Sequence, residues 1–153
     1  MRIQEFITEL FDPKTALPLK WDEQFAASHN EVHVEAMDEE GRELYISFVP
    51  VGFRSTVIEI TFTREGSYDI TGQGDAARVL ATVAKAIDIY LRKYSPKYVV
   101  FSSKEGSRTG VYSAMVRRLL KGYTQVPPDQ FPPGLEEWGG NTQGGTPFVF
   151  KRI

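Results

Sequence analysis

Between Val32 and Thr63, three stretches of the chain alternate apolar and polar residues with a period of two, and this restricts the fold more than any other feature. Val32, Val34 and Ala36 alternate with His33 and Glu35. Leu44, Ile46 and Phe48 alternate with Tyr45 and Ser47. Ile58, Ile60 and Phe62 alternate with Glu59, Thr61 and Thr63. Side chains on a strand point to its two faces in turn, so each stretch predicts a strand with one face buried and one wet. The connectors Asp38–Gly41 and Pro50–Gly52 are turn-rich, which predicts an antiparallel meander. Tyr68–Thr71 suits a short fourth strand.

The period then changes. Val79, Leu80, Val83, Ile87, Tyr90, Leu91 and Tyr94 recur at helical spacing and predict a helix from about Ala76 to Tyr94. Asp75 suits its N-cap, and Ser95-Pro96 its stop. Tyr98–Phe101 is a continuous apolar run, as expected for a strand covered on both faces. Val111, Tyr112, Met115, Val116, Leu119 and Leu120 form a second helical stripe ending near Gly122. Ile3, Phe6, Ile7, Leu10 and Phe11 form another, ended by Asp12-Pro13. Residues 13–30 lack a clear period and suit a short helix near Trp21–Ala27, and Phe148–Phe150 suits a terminal strand. A strand–helix–strand unit of this length is a right-handed parallel crossover. The expected class is α+β: a mixed, mainly antiparallel sheet, a meander plus one βαβ crossover, covered by helices. At 153 residues a single domain over 1–153 is expected.

Composition removes several chemistries. The chain has no Cys, which excludes disulfide frameworks, thiolate nucleophiles and Cys-ligated zinc. His29 and His33 have a spacing that suits a metal only on a helix. His33 falls in a strand pattern, so both read as surface histidines and no metal is expected. No zincin, nucleophile-elbow or P-loop motif is present. Asp38, Glu39 and Glu40 read as a solvated hairpin tip. No window is apolar enough for a signal peptide or a membrane span, so the expected setting is the cytoplasm.

The net charge of −2 hides a polarised chain. Glu31, Glu35, Asp38, Glu39, Glu40 and Glu43 stand against Arg42 alone, whereas Lys104, Arg108, Arg117, Arg118 and Lys121 stand against Glu105. Cations near a helix C-terminus favour its dipole. Contact with nucleic acid, or with an acidic protein through Arg108, Arg117 and Arg118, stays open beside that account.

Thr71-Gly72-Gln73-Gly74-Asp75-Ala76 joins a predicted strand to the long helix. Read residue by residue, Gly72 and Gly74 make a tight turn and Asp75 caps the helix. The free N–H groups of such a helix start also suit an acyl-CoA or another phosphate ligand. The segment resembles the pyrophosphate loop of GNAT-type N-acetyltransferases, [QR]-x-x-G-x-[GA] followed by an apolar helix. Gly74 and Ala76 match its last two fixed positions, and Thr71 stands where the family has Gln or Arg. Val111-Tyr112 resembles the Leu-Tyr pair of that family's closing motif. The resemblance covers about residues 43–153. It implies a GNAT-like fold, acetyl-CoA held at Gly72, Gly74 and Ala76, Tyr112 as general acid and Glu59 as general base. Phe101–Tyr112 also resembles a stretch in small uncharacterised phage proteins. That second resemblance implies an accessory viral protein in the cytoplasm of a host cell, acting on a host or viral protein rather than by catalysis.

Five of the nine Pro and six of the 13 Gly lie between Gly122 and Pro147, which predicts a long loop over 122–147. It carries Phe131, Leu135 and Trp138, which a solvated linker rarely needs. In the accessory reading Phe131 and Trp138 are the anchors of an interface. In the GNAT-like reading the loop approaches the acceptor.

Overall fold

In the computed structural model, which describes residues 16–23, 31–38, 41–51, 57–64, 76–102, 120–132 and 147–153, the alternating stretches are strands. The elements in chain order are β1 (Lys20–Asp22), β2 (Val32–Met37), β3 (Glu43–Val51), β4 (Val57–Arg64), α1 (Ala76–Tyr94), β5 (Tyr98–Ser102), β6 (Tyr123–Val126) and β7 (Pro147–Arg152). A 3-10 turn, Pro128–Gln130, follows β6. All seven strands form one sheet in the order β1-β2-β3-β4-β5-β7-β6. β4 and β5 run parallel, while β1 with β2, β5 with β7 and β6 with β7 run antiparallel. The sheet is thus mixed and mainly antiparallel, with α1 as the crossover between β4 and β5.

Two expectations are corrected. The stretch near Trp21 begins as a strand, β1, because Lys20, Trp21 and Asp22 pair with Glu35, Val34 and His33. The loop expected over 122–147 contains β6 and the 3-10 turn. β6 owes its place to ladder bonds with β7, in which Gln125 meets Phe150 and Val126 meets Val149. The predicted helices at 2–11 and 111–122 and the strand at Tyr68–Thr71 fall wholly or largely outside the described residues.

The chain divides into two compact units, Met1–Ser47 with Phe62–Lys93, and Phe48–Thr61 with Tyr94–Ile153. In the first, Val32, Val34, Leu44 and Ile46 are buried, as are Val79, Leu80, Val83, Ile87 and Leu91 on α1. Thr82 on α1 is fully buried and doubly used. Its Oγ1 accepts from the Leu17 N–H at 2.9 Å and donates to the Arg78 carbonyl at 2.8 Å. The helix ends on Arg92 and Lys93, which suit the negative end of its dipole. Ser95 then takes a left-handed φ of 44°, and Pro96 prevents a further turn.

The second unit is built on a row of valines. Val57, Val100, Val126 and Val149 are buried together, with Val51, Tyr98 and Phe131 packed against them. Full burial of each such side chain stabilises by roughly 1.5–3 kcal/mol. Phe101 and Phe150 meet edge to face at 6.2 Å. The segment leading into β5 is held carbonyl by carbonyl: Ser95 O by the Arg152 guanidinium, Pro96 O by the Tyr123 hydroxyl, Lys97 O by the Arg152 N–H.

Candidate functional site

Glu59 is the expected site residue that the structure describes best. The third alternating stretch gives it a wet face, but β4 is the middle strand of the sheet, and Glu59 is only 7% exposed. It lies in register with Val100 of β5, which lies in register with Val149 of β7. By alternation it shares a face of β4 with Val57, a member of the valine row. A bare carboxylate there would cost several kcal/mol. Glu59 is engaged by another group and is not bare.

The ladder around Glu59 is short. Val57, Ile58, Glu59 and Ile60 pair with Tyr98, Val99, Val100 and Phe101, and the pairing stops there. Thr61 and Ser102 come next and are both strand residues, yet they are not partners. On the other edge of β5 the pairing with β7 runs one residue further, to Ser102 and Pro147.

The other expected residues are only partly placed. Ala76 is the first residue of α1, so the helix starts two residues after Gly74 in the sequence. Gly72, Gly74, Arg108, Tyr112, Arg117, Arg118 and Trp138 lie outside the described residues. Phe131 is half-buried against the valine row, so the structure brings it and Glu59 to one face of β4, β5, β7 and β6.

A second arrangement escaped the sequence reading. His33 is not a bare surface histidine. Its Nε2 lies 3.2 Å from Glu31 Oε2, and its Nδ1 is hydrogen-bonded to the Tyr45 hydroxyl. A carboxylate can only accept, so Nε2 carries a proton, and in the neutral ring Nδ1 accepts from Tyr45. Tyr45 titrates above its usual range, first through burial and then through Glu35, Glu31, Asp22 and Glu43. The signal was available: His33 and Tyr45 occupy the polar positions of two consecutive alternating stretches. The hairpin tip is also less solvated than expected, since the Asp38 side chain is 8% exposed and ion-paired with Arg42. Among the described residues no group of three His, Asp or Glu side chains could hold a metal. No helix there is long and apolar enough to cross a membrane.

The sequence model of a family described as "Family of unknown function (DUF6934)" matches residues 45–126, just over half of the chain. The chain belongs to this family. The DUF6934 span runs from Tyr45 in β3 to the last residue of β6, and so takes in Glu59 and the whole β4–α1–β5 crossover. No curated protein matches. Among solved structures, the chain is similar to a chimera of the spermidine N-acetyltransferase SpeG from Vibrio cholerae with hSSAT. The identity is 11%, the TM-score 0.46, and the match covers 86% of this chain and 73% of that one. It is also similar to mutant forms of the spermidine/spermine N-acetyltransferase SpeG from Vibrio cholerae, at 10% identity and a TM-score of 0.46, covering 84% and 69%. At these values the likeness says nothing about activity.

Proposed function

We propose that the chain is an acyltransferase that uses acetyl-CoA and acts on an amine. The observation that carries the reading is the parallel β4–β5 ladder, which ends at Ile60 and Phe101 while both strands continue. That end lies one residue beyond Glu59, a buried carboxylate. The start of α1 at Ala76 fits a coenzyme pyrophosphate, because the first N–H groups of a helix attract phosphate. Gly72, Gly74 and Ala76 would hold that group. Acetyl-CoA, when bound, supplies an activated acyl group. In the transfer the amine nitrogen would bond to the acyl carbon as the carbon–sulfur bond breaks; Glu59 would take the proton of the amine and Tyr112 would give one to the leaving sulfur.

A thermal melt with acetyl-CoA tests the reading. Ligand at about 100 times its Kd adds about 2.7 kcal/mol, a rise of several degrees in Tm. No shift at millimolar coenzyme would remove the proposal. Glu59→Gln should keep the shift and lose acyl transfer to an amine panel by about 100-fold or more, the range of general-base catalysis.

A further inference from the structure

The charges of the chain divide by unit. The unit of Phe48–Thr61 and Tyr94–Ile153 holds nine Lys and Arg against five Asp and Glu, a net +4. The other holds nine against fifteen, a net −6. Of the five acids in the basic unit, Glu59 is buried, and Asp129 is on the 3-10 turn.

Four of the cations gather at one end of this unit's strands. β5 begins there, β7 ends there and β6 begins there, because β7 runs antiparallel to both neighbours. The register sets Tyr98 beside Lys151, Lys151 beside Thr124, and Arg152 beside Tyr123. Lys97 precedes β5 and Lys121 lies just before β6. Lys97, Lys121, Lys151 and Arg152 are all exposed, and so are Thr124 and Gln125. The Nζ atoms of Lys97 and Lys151 lie 5.7 and 6.0 Å from the centre of the half-buried Tyr98 ring. Among the described residues no carboxylate pairs with any of the four cations.

The backbone under the patch is also cross-tied. The carbonyls of Ser95, Pro96 and Lys97 are each held from β6 or β7, and the Ile153 N–H bonds Gly122 O at 2.8 Å. A backbone already tied in place loses little freedom on binding. The chemistry of the patch is specific in kind: clustered cations for phosphates, the neutral Thr124 hydroxyl beside Lys151 for phosphate oxygens, and an aromatic ring with two ammonium groups near it. A single-stranded nucleic acid offers both phosphates and unpaired bases, whereas an acidic peptide gives the ring nothing to stack on.

We propose that this end of the sheet binds single-stranded nucleic acid, with Lys97, Lys121, Lys151 and Arg152 meeting phosphates and Tyr98 meeting a base. The reading is independent of acyl transfer. DNA and RNA share the chemistry, so the two should bind alike.

The test is fluorescence anisotropy of the full chain with labelled oligothymidylate and oligouridylate of about 12 nucleotides. Salt is varied between about 50 and 200 mM, where phosphate contacts dominate the response. Each phosphate contact on a single strand adds about 0.7 to the slope of log K against log salt, so four give about 2.8. The Lys97→Glu/Lys151→Glu protein, changed only at exposed positions, should bind about tenfold or more weakly, with a slope lower by about 1.4. Tyr98→Leu should weaken binding with the slope unchanged. Lys20→Glu, in the acidic unit, should change neither. No binding at low salt would overturn the proposal, as would an unchanged slope in the double-lysine variant. Polyglutamate that competes as well as the oligonucleotide would also overturn it, because the surface would then read charge alone.

Discussion

Asp38 holds the β2–β3 turn by accepting twice from one residue. Its Oδ1 takes the Arg42 N–H and its Oδ2 the Arg42 Nε–H, both at 2.8 Å. Gly41 between them has a φ of +77°, with open space where a Cβ would stand. Gly41→Ala should therefore destabilise through backbone strain alone, by about 1 kcal/mol, read as a lower urea midpoint with unchanged slope. Asp38→Ala should cost about 1–3 kcal/mol, because a charged acceptor is lost from a half-closed site. Two phenols report on pH. Tyr45 is raised mainly by burial, then by the surrounding carboxylates; Tyr123 is raised by burial, which Arg152 partly opposes. When the folded value exceeds the unfolded one, the stability is fully present below about pH 10. It is lost as pH rises through the folded value. Tyr45→Phe should thus lose less stability than the parent between about pH 10 and 12, as measured by urea midpoints.

At the scale of elements, α1 depends on Thr82 as much as on its apolar stripe. Thr82→Val keeps the shape but strands the Leu17 N–H, so it should cost about 1–3 kcal/mol, while Thr82→Ser should cost less. Equal losses for the two would show that the methyl group, not the hydroxyl, matters there. The bounds of α1 were legible because a long periodic stripe, a stop at Pro96 and a change of period all agree. β1 and β6 were not. Three residues of β1 are too few to alternate, and β6 has one buried side chain, Val126, in four. Their place is decided by pairing with distant segments, which local sequence does not carry. The site follows the same division. Glu59 could be named from its position on a strand, but its burial could not be read, since alternation does not say that a strand is central. His33 and Tyr45 could be placed on one polar face, but their hydrogen bond depends on the register of β2 against β3.

For the whole molecule, the two units are not successive lengths of chain. β3 passes from the acidic unit to the basic one between Ser47 and Phe48, and β4 passes back between Thr61 and Phe62. Both crossings fall inside strands rather than in linkers. Neither unit can lose its part of β3 or β4 without withdrawing strand residues from the other. Unfolding should therefore be one cooperative transition, and 153 residues are within the range where this is common. The chain's two Trp allow the check, since Trp21 belongs to the acidic unit and Trp138 to the basic one. Trp138→Phe leaves a reporter in the first, and Trp21→Phe leaves one in the second. Urea transitions followed by fluorescence in the two variants should each coincide with the loss of far-ultraviolet ellipticity in the same variant. A fluorescence midpoint well apart from the ellipticity midpoint in either variant would show that the units melt separately and that the shared strands do not couple them.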